Sequence, residues 1–98
     1  KGARFKTAAD AASSSAWSLF SASNALENAL EAEAQGKQEL ATSWKNSTTQ
    51  YQVAADSWRQ AAEALFEGDR EKGERCKTAA EAAEKEADRL KETAQNHK

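Results

Sequence analysis

Apolar residues recur along this chain in alternating steps of three and four, and the rhythm fails twice, each time around a glycine. From Phe5 the frame runs through Ala9, Ala12, Ala16, Leu19, Ser23, Leu26 and Leu30, then meets Glu33 and Lys37, which are charged. It resumes through Leu40, Trp44, Ser47, Tyr51, Ala54, Trp58, Ala61 and Leu65, and fails again at Gly68, Lys72 and Arg75. A third stripe in a shifted phase runs Cys76, Ala80, Ala83, Ala87, Leu90 and Ala94. Such spacing keeps one side of a helix apolar, and a frame that breaks at glycine marks the helix ends. The pattern predicts one antiparallel bundle over residues 1–98, with helices over about 3–35, 37–67 and 69–96 and tight turns near Gly36 and Gly68. The three stripes are expected to face one another and form the core.

Composition agrees with an all-α fold. Alanine, the best helix former, supplies 23 of the 98 residues, against six Leu, one Val and no Ile or Met, and Pro is absent. Almost nothing favours a strand. A core of alanines buries little area per residue, so it depends on close helix approach and on the few large side chains. Trp44, Tyr51 and Trp58 are spaced by seven on the second stripe, and they are the expected filler. Gly68-Asp69 reads as a left-handed helix stop followed by an N-cap. The Gly36 turn is the weaker of the two, since Lys37 cannot cap.

Several function classes find no support. A net charge of −2 with no basic excess argues against nucleic acid. No stretch reaches the ~20 apolar residues of a membrane span. The chain does not begin with Met and shows no signal peptide, which suggests an excised or processed segment. The 17 charges in residues 67–98 are nine acidic and eight basic, the signature of a solvated helix face with pairs such as Glu71/Arg75 and Glu81/Lys85. Cys76 and His97 are single and far apart, too few donors for a metal and too distant along a helix for a nucleophilic pair. The runs Ser13-Ser14-Ser15 and Asn46-Ser47-Thr48-Thr49 are expected to be weak-helix polar stretches, the second able to kink its helix. No catalytic, cofactor-binding or metal-binding residue is expected, and no cofactor. Trp17 falls one position off the first frame, so its ring is expected half exposed. With Phe20 it is the candidate contact for a protein partner.

Sliding residues 25–56 onto 57–88 matches Ala29 with Ala61, Ala32 with Ala64 and Gly36 with Gly68, among other pairs. A period near 32 residues with one helix per period suggests a stacking array. The segments Ala16-Trp17-Ser18-Leu19, Leu30-Glu31-Ala32 to Gly36-Lys37, Leu40-Ala41 to Trp44, and Ala54-Ala55-Asp56 to Gly68 resemble tandem Ala-rich helical repeats of some bacterial proteins. That resemblance implies a repeat module and transfers no site residues. Separately, Trp44-Lys45-Asn46-Ser47 followed by Tyr51-Gln52 and Trp58 is similar to the central turn and second helix of the WXG100 family of small secreted hairpins. Asn46 stands where that family has its turn glycine. This second resemblance implies a dimeric export substrate or effector that turns near Asn46. The reading from the residues themselves is a non-enzymatic structural or protein-interaction module, monomeric or weakly oligomeric. Its partner would be another protein or a neighbouring repeat.

Overall fold

The computed structural model describes residues 2–96. Three helices follow one another: α1 (Gly2–Ala34), α2 (Gln38–Phe66) and α3 (Arg70–Asn96). No strand occurs among the described residues. The chain is an all-α, antiparallel three-helix bundle, 52 Å long and 17 by 15 Å across. The second helix is central. It packs along its length on both α1 and α3, whereas α1 and α3 seldom approach each other.

Both turns have the same construction. Gly36 and Gly68 take φ of +75° and +89°, a left-handed conformation that side chains with a Cβ resist. The Lys37 N–H reaches back to the Ala32 carbonyl at 2.9 Å, and the Gly36 N–H to Glu33 at 3.0 Å. At the second turn the Asp69 N–H bonds Ala64 at 2.8 Å, and the Gly68 N–H bonds Leu65 at 3.1 Å. These are paired Schellman closures, which satisfy carbonyls that a helix end leaves free. Ala32 and Ala64, and Gly36 and Gly68, occupy matching places in matching turns. The turns differ only in what starts the next helix. The Asp69 carboxylate accepts from the Lys72 N–H at 3.1 Å, while Lys37 makes no side-chain cap.

The core follows the expected stripes on two helices and departs from them on the third. On α2, Trp44, Ser47, Tyr51, Ala54, Trp58, Ala61 and Leu65 are buried and Leu40 is half-buried. On α3, Ala80, Ala83, Ala87 and Ala94 are buried, with Cys76 and Leu90 half-buried. On α1 the expected stripe Phe5–Leu30 lies outward. The buried residues are Ala8, Ala11, Ser18, Ser21, Ala22, Ala25, Ala29 and Ala32, a stripe one flank away. The reason is volume. Trp58 packs against Ala8, Ala11, Ala80 and Ala83; Tyr51 against Ala22 and Ala87; Trp44 against Ala25, Ala29 and Ala94. With the large rings all on the middle helix, the outer two fit only by presenting their smallest face.

Hydroxyls fasten this core. The Ser15 hydroxyl donates to the Ala55 carbonyl (2.8 Å) and Ser47 to the Ala87 carbonyl (2.9 Å), while Ser18 reaches Glu84 across α1 and α3 (3.1 Å). The polar runs read from sequence as merely weak-helix stretches thus supply cross-helix bonds. The helix α2 also continues through Trp44-Lys45-Asn46-Ser47, where the resemblance to secreted hairpins implies a turn.

Candidate interaction surface

The first helix carries two apolar stripes, and only the small one is covered. Outward stand Phe5, Leu19, Leu26 and Leu30, separated by Ala9, Ala12, Ala16 and Ser23, all exposed. Leu19 and Leu30 keep 55% and 56% of their surface in solvent. The stripe read from sequence as core is therefore an uncovered apolar row running most of the length of α1. An exposed apolar row of this kind is one of the marks of an interaction surface.

Trp17 is 57% exposed and Phe20 65%. They lie on the flank of α1 turned toward α3. There they line a half-open groove of about 460 Å³ with Ser21, Asn24, Asn28, Lys91 and Gln95, and the edge of Trp44. With Glu27 also in its lining, the groove joins an aromatic wall to amide, ammonium and carboxylate groups, a mixture suited to peptide side chains and backbone. Both candidate contact residues are on this surface, side by side.

A second groove, about 470 Å³ and almost wholly apolar, lies between α1 and α2 near the start of the chain. Phe5, Ala8, Ala9, Ala12, Ala62 and Phe66 line it. The Phe5 and Phe66 rings meet tilted at 45°, with centroids 5.4 Å apart. Phe66 belongs to no stripe of the sequence pattern, because it becomes part of the surface only when α2 folds back beside α1.

Asp56 and Glu86 titrate below the ordinary carboxylate range, chiefly through hydrogen bonds from Arg59 and Arg89 one turn away on exposed faces. Glu33 and Lys45 tie α1 to α2. Among the described residues no three His, Cys, Asp or Glu side chains converge to hold a metal ion. Cys76 is a free thiol, half-buried against the cluster around Trp58, and His97 lies outside the described residues. Among the described residues no helix is long and apolar enough to cross a membrane. Comparison of the chain with family models, curated proteins and solved structures finds no match.

Proposed function

We propose that this chain is a non-catalytic structural or protein-interaction module, working as one bundle or as a segment of a helical repeat array, with Trp17 and Phe20 of α1 in contact with a protein partner. The observation that carries the reading is the division of α1: it spends alanine and serine on the core and leaves its bulky apolar residues in water. Burying those residues inside would add stability to an alanine-rich core of little volume, so their exposure calls for a second surface. The matching Schellman turns fit a unit that can be repeated, since each period ends in the same geometry.

The test is affinity capture with the wild-type chain and with the Trp17→Ala/Phe20→Ala variant, with thermal unfolding of both in parallel. Loss of captured protein at an unchanged midpoint, within about 2 °C, is the expected outcome. Unchanged capture with a lowered midpoint would assign both rings to packing and remove them from the contact.

A further inference from the structure

We infer that the outward stripe of α1 is the seam of an antiparallel self-pair, in which α1 of one copy lies along α1 of a second copy. The inference rests on reading α1 as a binding helix and names its partner. Phe5, Ala9, Ala12, Ala16, Leu19, Ser23, Leu26 and Leu30 alternate steps of four and three without interruption. That is the a/d spacing of a coiled coil, held for 26 residues or roughly 39 Å of helix. Of the other apolar positions of α1, Ala8, Ala11, Ala22, Ala25, Ala29 and Ala32 are buried against the bundle, and Trp17 and Phe20 stand exposed off the seam.

The order of large and small residues selects both the partner and the direction. Set antiparallel to itself, the seam places Phe5 opposite Leu30, Ala9 opposite Leu26, Ala12 opposite Ser23 and Ala16 opposite Leu19, each pair occurring twice. No two consecutive layers are then both small, and one interhelical distance serves the whole length. Set parallel, Ala9, Ala12 and Ala16 would each meet themselves in three successive empty layers, between a Phe5 layer and a Leu19 layer too wide for them. Charge gives the same direction. Lys6 and Glu27 are exposed beside the seam near its opposite ends. Antiparallel pairing brings each toward the other in the second copy, whereas parallel pairing leaves each near its like. At an exposed rim such pairs set orientation more than affinity.

The surface is reciprocal as well. One end of the seam holds the apolar groove between Phe5, Ala9, Ala12, Ala62 and Phe66; the other end offers the exposed side chains of Leu26 and Leu30. Antiparallel pairing seats the leucines of each copy against the groove of the other. About half of each large side chain is uncovered, on the order of 100 Å² apiece. With the alanines and Phe66 included, the pair would bury about 1,200 Å² in total, the lower bound of stable specific interfaces. A reversible dimer is the expected state, not an obligate one.

Sedimentation equilibrium between about 1 and about 100 μM brackets micromolar affinity. The chain should pass from monomer to dimer, and Leu26→Lys should weaken the association by more than about tenfold without changing the far-UV spectrum. Direction is read by oxidation in a Cys76→Ala background. Ala12→Cys chains mixed with Ser23→Cys chains should form a cross-linked dimer, and neither variant should cross-link alone. A chain monomeric across the range overturns the inference, as does a dimer indifferent to Leu26→Lys or one in which Ala12→Cys chains link to themselves. Such failures leave the Trp17 and Phe20 contact standing if capture still depends on those rings. Conversely, a dimer with capture indifferent to Trp17 and Phe20 leaves self-association standing alone.

Discussion

Tyr51 is the largest fully buried side chain of the bundle, and its hydroxyl is bonded to the Asp88 carboxylate of α3. Burial first, then the hydrogen bond to Asp88, then the negative charges of Asp88 and Glu84 push the phenol well above its ordinary pKa near 10. A folded-state pKa above the unfolded one means that the unfolded chain releases its proton first. The stabilisation is therefore complete below about pH 10 and drains away as the pH rises past it. Urea unfolding from pH 8 to 11.5 should show this alkaline loss. Tyr51→Phe should cost about 1 kcal/mol at pH 8 and flatten the decline. Trp58 presents the opposite case, with its indole N–H buried and without an acceptor among the described residues. Its value lies in volume alone.

Each helix of the bundle has a distinct role in filling space. The rings of α2 are large, so α1 and α3 offer alanine, serine and one glycine. Gly73 shows how tight the fit is: a Cβ there would stand 2.5 Å from Leu65 Cδ2 and 2.6 Å from Cγ. Alanine is the better helix former by about 1 kcal/mol, yet overpacking of this kind costs about 1–3 kcal/mol. Gly73→Ala should therefore destabilise the wild type by about 1 kcal/mol and stabilise a Leu65→Ala background. Additive effects in a denaturant double-mutant cycle would show that Leu65 does not press on Gly73. Helix existence, both turns and the α2 and α3 stripes were legible because each depends on its own segment. The face that α1 buries was not. Its apolar arc is wide enough for two stripes, and the heptad rhythm favours the bulkier one. Only the placement of Trp44, Tyr51 and Trp58 on the neighbouring helix decides for the smaller. Phe66 and Lys91 were hidden for the same reason, since they join the surface through chain reversal. Ser47 lay in the α2 frame, but neither its bond nor that of Ser15 could be read from the sequence, because a cross-helix hydroxyl looks like any other serine.

At the scale of the molecule, the long thin shape follows from these choices. The radius of gyration is 15.3 Å, above the ~13 Å of a compact chain of this length, because three helices of 27 to 33 residues lie side by side. A narrow core of alanines around three large rings leaves α1 with more apolar surface than the bundle can use, and that surplus is the basis of the proposed binding role. The central claim is that the small stripe of α1 faces inward and the large stripe outward. Chemical denaturation of Leu19→Ala, at a concentration where the chain is monomeric, tests it most directly. The account predicts a loss of less than about 1 kcal/mol, as for an exposed side chain. A loss of about 2–5 kcal/mol, the cost of emptying a core leucine site, would place Leu19 inside and contradict the arrangement.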